Sequence, residues 1–328
     1  MPLVDMSLDA LHQYQGKNPR PADHDEYWTA ALQEMKAVDP QVELVPADFK
    51  VPGVACYDLY FTGVRGARLH AKYLKPLTFS EPHPAVVQFH GYSGNCGAWQ
   101  DKLAFVAMGF SVAALDCRGQ GGQSQETGGV LGTTFRGHIV RGLDDKPENL
   151  LMRHNYLDTA QLAGIMMDMP EVDASRVAAM GGSQGGGLTV ACAALEPRIA
   201  CLAPRCPFLS DYRRVWEMDL AKDAYEELRT FFRQFDPLHA KEDLYFTRLG
   251  YIDIQHLAHR IRGKVLWAAG LMDTICPPST QFAAYNKITS PKEMMIYPDY
   301  GHENYPGFDD RAFQFLCDVL LDYLNSPE

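Results

Sequence analysis

Positive charge is scarce in this chain. Thirty Lys and Arg stand against 41 Asp and Glu, a formal net charge of −11 at pH 7. The acidic residues are spread rather than blocked, which favours solubility and disfavours binding to a nucleic-acid backbone, since that needs a cationic face. No apolar run approaches the roughly 20 residues that span a bilayer, so no membrane association is expected. The leading "MPLVDMSLDALHQYQGKNPRP" has no basic region followed by an apolar core; no secretory signal is expected, and cytoplasmic residence is the default. Eight cysteines occur without close C-x-x-C pairs and without a Cys/His array at zinc-ligand spacing. In a chain this long they are expected as buried free thiols, not as a disulfide framework or a metal site. Internal repeats and low-complexity segments are also missing.

What is present is a core-forming composition: 46% hydrophobic and 22% charged residues over 328 positions. Length alone leaves one large or two small domains open. From Ala85 onward the texture is one of short, nearly continuous apolar runs ending in Gly, Pro or Asp: "AVVQFH", "FSVAALD", "RVAAMGG", "CLAPRCPF", "KVLWAAG" and "EMMIYPD". These read as buried parallel strands. Helical patterns lie between several of them, in "AWQDKLAFVAMG", "YLDTAQLAGIMMDM", "GGLTVACAALEP" and "PSTQFAAYNKI", with a closing helix through "DRAFQFLCDVLLDYLN". Strand–helix alternation predicts an α/β fold with a mostly parallel central sheet flanked by helices. Ahead of it, "CYDLYFTGVRGARLHAKYLKP" alternates around a turn like a hairpin, and residues 1–40 form an extension with one helix in "DHDEYWTAALQEMKAV". The charged, helical stretch 210–259 breaks the rhythm and is expected as an insertion over one end of the sheet. The expectation is therefore a single domain over 1–328.

The segment "MGGSQGGGLTV" surrounds Ser183 with Gly181, Gly182, Gly185, Gly186 and Gly187. Placed between a strand and a helix, Gly181-Gly182-Ser183-Gln184-Gly185 fits G-x-S-x-G, the nucleophile elbow of α/β hydrolases. A glycine-rich turn packing a helix against a sheet is the plainer reading of the same residues. No Gly-Lys-Ser/Thr follows, and the glycines miss the G-x-G-x-x-G spacing, so neither a Walker loop nor a dinucleotide fingerprint is present. A serine nucleophile needs a base, and the base needs an orienting carboxylate. In α/β hydrolases these follow in the order Ser, Asp or Glu, His, in loops after later strands. Asp273 follows "KVLWAAG" and His302 follows "EMMIYPD", both in that order. The loop "FHGYSG" after "AVVQF" offers the Tyr92 backbone N–H as an oxyanion donor beside that of Gln184. His90 there reads as a structural hydrogen-bonding residue. His70, His83, His154, His239, His256 and His259 read as strand, loop or helix-surface residues, and Asp116 with Arg118 as a buried ion pair or loop brace. Cys276 lies near Asp273 but has no base of its own.

Taken together, "HPAVVQFHGYSG", "LDCRGQGGQS", "RHNYLDTAQLAGIM", "VDASRVAAMGGSQGGGLTVACAALEPRI", "PFLSDYRR", "GLMDTICPPSTQFAAYN" and "YPDYGHE" resemble the acetyl xylan esterase and cephalosporin-C deacetylase family, carbohydrate esterase family 7. The resemblance implies Ser183 as nucleophile, Asp273 as orienter and His302 as base, with the Tyr92 and Gln184 amides as oxyanion hole. It maps the family's Arg-Gly-Gln onto Arg118, Gly119 and Gln120, and its His-Glu onto His302 and Glu303. It further implies deacetylation of small oligosaccharides and other acetylated alcohols such as cephalosporin C, no metal or organic cofactor, an intracellular location, and a homohexamer. "PFLSDYRR" and "LDDKPENLLMRHN" depart from the family's usual wording, which bears on substrate preference. The alternatives are an α/β-hydrolase peptidase or a broader carboxylesterase and, in a different class, a non-catalytic ligand-binding relative on the same scaffold.

Overall fold

A computed structural model describes residues 4–78, 81–126 and 135–321. Two helices come first: α1 (Leu8–Gln13) and α2 (His24–Lys36). Helix α2 buries His24, Tyr27, Trp28 and Ala31, an i, i+3, i+4, i+7 stripe, and carries Asp25 and Glu26 at its positive end. The expected helix in the extension is therefore there, with α1 added to it. The Trp28 indole N–H donates to the Tyr251 carbonyl at 2.9 Å, so this extension is stitched to the 210–259 stretch.

Nine strands make one sheet: β1 (Glu43–Pro46), β2 (Val54–Thr62), β3 (Arg68–Pro76), β4 (His83–Phe89), β5 (Ser111–Leu115), β6 (Val172–Gly182), β7 (Cys201–Arg205), β8 (Lys264–Gly270) and β9 (Lys292–Tyr297). Their order is β1-β2-β3-β5-β4-β6-β7-β8-β9. The β1–β2, β2–β3 and β3–β5 pairs are antiparallel and every other pair is parallel. The alternating "CYDLYFT…ARLHAKYLKP" is the β2–β3 hairpin, and the six apolar runs from Ala85 onward are β4 to β9. Strand β1 went unread: it is four residues long and mostly exposed, so it carries no alternation of burial.

Connecting these strands are α3 (Leu103–Ala107), α4 (Leu151–Asp168), α5 (Gln184–Leu195), α6 (Tyr212–Glu217), α7 (Glu226–Phe235), α8 (Glu242–Leu249) and α9 (Pro278–Tyr285), and α10 (Phe308–Leu320) follows the last of them. Side chains alternate across the sheet, which splits the core in two. Ala85, Val87 and Phe89 of β4 face a large cluster with α4 and α5, whereas Val86 faces Phe105, Val106, Leu316 and Leu320 from α3 and α10. Helices thus cover both faces, the arrangement of an α/β hydrolase. Helices α6 to α8 and four short 3-10 turns make up the stretch between β7 and β8. Among the described residues no helix is long and apolar enough to cross a membrane.

Candidate active site

The parallel strands end along one edge, and the loops that follow them build the site. Strand β6 stops at Gly182, and Ser183 turns the chain into α5 with φ 57° and ψ −121°. A non-glycine residue adopts such a conformation only under strain, so the surrounding structure must enforce it. Glycine supplies the room. A Cβ at Gly185 would stand 2.1 Å from the Phe89 carbonyl oxygen, and one at Gly181 would stand 2.6 Å from the backbone of Gly185. The start of α5 is jammed against the end of β4, and side chains at these positions would push the two apart.

Asp273 follows β8 and His302 follows β9. His302 Nε2 lies 2.8 Å from Ser183 Oγ, and its Nδ1 lies 2.8 Å from Asp273 Oδ2. The partners fix the tautomer: Nδ1–H donates to the carboxylate, leaving Nε2 to accept from the serine hydroxyl. Asp273 is fully buried, and its other oxygen accepts the Ile275 and Cys276 N–H groups, each at 2.8 Å. Burial alone would lower the His302 pKa. The Cys276 thiol and the Asp273 carboxylate beside it more than offset this, so the net direction is upward. Such a relay can take a proton from a hydroxyl attacking a carbonyl and stabilise the imidazolium that results.

Beside Ser183 lies a cavity of about 350 Å³, bounded also by Gly91, Arg205, His302, Glu303 and Asn304. That volume suits a small ligand, at the lower end of the roughly 300–1,000 Å³ usual for such sites. Arg205 Nη1 has one long contact, 3.3 Å to Asp309, and Glu303 accepts the Gly301 N–H at 3.0 Å.

Gln184 opens α5, where backbone N–H groups have no partner within the helix. Tyr92 follows Gly91 in the loop after β4. Among the described residues, neither the Tyr92 nor the Gln184 N–H donates to a protein acceptor. Gln120 ties the two together: its Oε1 accepts the Ser93 N–H at 2.9 Å, and its side-chain amide pairs with that of Gln184 at 2.9 and 3.0 Å. His90 is a structural residue, donating to the Gly91 carbonyl at 2.7 Å and accepting the Cys117 N–H at 3.0 Å. Burial lowers its pKa and keeps the ring neutral.

Asp116 and Arg118 do not pair with each other, which corrects one form of the sequence reading. Arg118 makes a fully buried, bidentate pair with Asp158 at 2.6 and 2.7 Å, beside Gly119 and Gln120. Asp116 instead accepts from His70 at 2.7 Å and from the Cys96 and Gln123 amides at 2.6 and 2.9 Å. His70, His154 and His256 are buried, so the helix-surface reading fails for His154 in α4. All eight cysteines are buried and free. Among the described residues, two groups of ligand atoms lie close enough to share a metal ion: His70, Cys96 and Asp116, and Cys206, Asp273 and His302. In both, the imidazole nitrogens already meet protein partners, which leaves neither ring a lone pair to offer. Glu227 was missed altogether; its carboxylate reaches the Tyr92 hydroxyl from α7, and no local motif marks it.

The acetyl xylan esterase (AXE1) family pattern matches residues 1–319. The acetyl esterase Axe7A of Xylanibacter ruminicola is 28% identical over 311 residues, 91% of this chain, and the chain spans 66% of that protein's length. Acetyl xylan esterase 1 from Thermoanaerobacterium sp. JW/SL YS485 superimposes with a TM-score of 0.93 at 60% identity, covering 96% of this chain and 99% of that one. The acetyl xylan esterase from Paenibacillus sp. R4 does so with a TM-score of 0.89 at 36% identity, covering 96% and 100%.

Proposed function

The chain belongs to the acetyl xylan esterase family and is a carboxylic ester hydrolase; on that premise we propose that Ser183, His302 and Asp273 carry out deacetylation of small acetylated carbohydrates through an acyl-enzyme. His302 Nε2 takes the proton as Ser183 Oγ attacks the acetyl carbonyl. Asp273 holds the ring in the required tautomer and offsets its positive charge. The Tyr92 and Gln184 amides receive the developing oxyanion; one such donor typically contributes about 100- to 1,000-fold in rate. The tetrahedral intermediate collapses, His302 returns the proton to the departing sugar oxygen, and the acetyl group stays on Ser183. Water then attacks with the same base, releasing acetate and restoring the hydroxyl.

The observation that carries this reading is the unbroken relay from Asp273 through His302 to Ser183, with 2.8 Å at each step. The cavity beside it is small, which suits an acetyl group, and Arg205, Glu303 and Asn304 supply donors and acceptors for sugar hydroxyls. Within this reading, xylo-oligosaccharide acetates and cephalosporin C are substrates, the enzyme is cytoplasmic, and the assembly is a homohexamer with a native mass near six times 36.7 kDa.

Ser183→Ala should reduce p-nitrophenyl acetate turnover by roughly 10⁴-fold or more, as loss of a triad nucleophile does elsewhere. Undiminished turnover in that variant would falsify the assignment. A series of p-nitrophenyl esters should show a sharp drop beyond propionyl, and a panel of acetylated xylo-oligosaccharides, acetyl xylan and cephalosporin C ranks the natural alcohol.

A further inference from the structure

Glu227 sits in the first turn of α7 with its carboxylate buried. An ionised carboxylate only accepts hydrogen bonds, and burying one is costly unless donors surround it. Here three donors do so, all of them neutral: the Ile139 N–H at 2.9 Å and the Val140 N–H at 3.0 Å on Oε2, and the Tyr92 hydroxyl on Oε1. The carboxylate therefore joins three segments that are far apart in the chain: helix α7, the 139–140 loop and the loop after β4.

The Tyr92 side chain is held on its other sides too. Its ring packs against His138 at 4.7 Å between centroids and edge-on against Phe208 at 5.7 Å. Phe208 in turn donates its N–H to the Ser183 carbonyl at 3.0 Å. One residue along, Ser93 has φ 59° and is pinned through its N–H to Gln120. The Tyr92 amide thus lies in a short strained loop with two tethers: Gln120 holds it from behind, and Glu227 holds it through the phenol.

We propose that Glu227 is a positioning residue which, through the Tyr92 hydroxyl, sets the Tyr92 backbone N–H for the oxyanion and so makes the α7 segment part of the reaction machinery. This rests on the reading of Ser183 and the Tyr92 amide given above. Glu227 touches no reacting atom. Its effect falls on transition-state binding, so kcat changes and KM does not.

The test compares Glu227→Ala, Glu227→Gln and Tyr92→Phe on p-nitrophenyl acetate, with the double variant Tyr92→Phe/Glu227→Ala closing a cycle. Glu227→Ala should lower kcat by about 10- to 100-fold, since a misplaced oxyanion donor costs up to the value of the donor itself, with KM within about twofold. Glu227→Gln should restore kcat to within about threefold of the parent. Its amide oxygen accepts the two loop N–H groups and its NH₂ meets the phenol oxygen. Tyr92→Phe should cost about as much as Glu227→Ala, and the double variant no more than the worse single one, because both break the same link. Should Glu227→Ala not fold, the Gln and Phe variants keep the comparison open. Glu227 is a merely structural residue if Glu227→Ala folds with kcat unchanged, if its loss appears in KM alone, or if the cycle is additive. Ser183→Ala separates the two levels: if it is inactive while Glu227→Ala is fully active, only the positioning role falls. If Ser183→Ala is itself active, the catalytic reading falls first.

Discussion

Gln120 and Gln184 face each other amide to amide, at 2.9 and 3.0 Å, with both side chains fully buried. The Gln120 oxygen that takes part also accepts the Ser93 N–H. One side chain therefore sets the spacing between the loop after β4 and the first turn of α5, the two segments that carry the amides proposed to receive the oxyanion. Gln120→Leu keeps the volume but removes every one of these bonds. Leaving buried donors unpaired costs about 1–3 kcal/mol each. Denaturant unfolding should show a loss of that order, and kcat on p-nitrophenyl acetate should fall by about 10- to 100-fold as the amides drift. Parent-like kcat in a destabilised variant would reduce Gln120 to a packing residue.

Arg118 and Asp158 form the deepest ion pair of the site region, with no exposure of either side chain. Arg118 also reaches the Val64 carbonyl at 3.2 Å, so the pair clamps the β2–β3 turn to α4 beneath the 118–124 loop. Removing one partner strands a buried charge, which typically costs about 3–5 kcal/mol, whereas replacing both with apolar residues of similar volume is often close to neutral. Unfolding free energies should therefore rank Asp158→Leu as more damaging than the Arg118→Met/Asp158→Leu double variant. The opposite ranking would mean that the pair stabilises the fold beyond the cost of desolvating it.

Much of this is legible in the amino-acid sequence, for physical reasons that differ by element. Strands β4 to β9 announced themselves because strands buried on both faces need continuous apolar runs. The G-x-S-x-G turn was legible because a jammed strand–helix junction tolerates only glycine at Gly181 and Gly185. That Ser183, Asp273 and His302 come together was legible because each follows a strand end, and parallel strands deliver their ends to one edge. The partners of buried charges were not legible. Asp158 lies 40 residues from Arg118 and Glu227 lies 135 residues from Tyr92, and nothing local in either segment marks what it will meet. The same holds for Asp116, whose partner His70 is set by the β3–β5 pairing and not by its neighbour Arg118.

Gly185 makes the glycine argument quantitative. An added methyl would meet the Phe89 carbonyl oxygen at 2.1 Å, its carbon at 2.7 Å and the His90 oxygen at 3.1 Å, all backbone atoms that no rotamer change can clear. Gly185→Ala must displace α5 or β4, and overpacking of this kind costs about 1–3 kcal/mol or more. A lowered thermal midpoint together with a fall in kcat is expected, since the displaced helix carries the Gln184 amide. Parent-like stability and activity would mean that the junction relaxes freely and that the glycine is dispensable.

The Asp273–His302 contact yields a prediction about pH. His302 is useful as a base only while neutral, so turnover should fall as acid protonates it. Burial pulls its pKa down, and the Cys276 thiol and Asp273 carboxylate push it up to a net increase. In Asp273→Asn the carboxylate's contribution disappears while burial remains. The imidazole pKa must then drop, and the acidic limb of the kcat/KM profile should move to lower pH. The plateau should fall as well, by about 10⁴-fold, because a side-chain amide can hold the ring in the wrong tautomer, with the proton on the nitrogen that must accept from serine. Rates measured from pH 4 to 9 on p-nitrophenyl acetate test both effects. A depressed plateau with an unshifted limb would assign that limb to a group other than His302, while a shifted limb with an undiminished plateau would leave the Asp273 carboxylate without its orienting role.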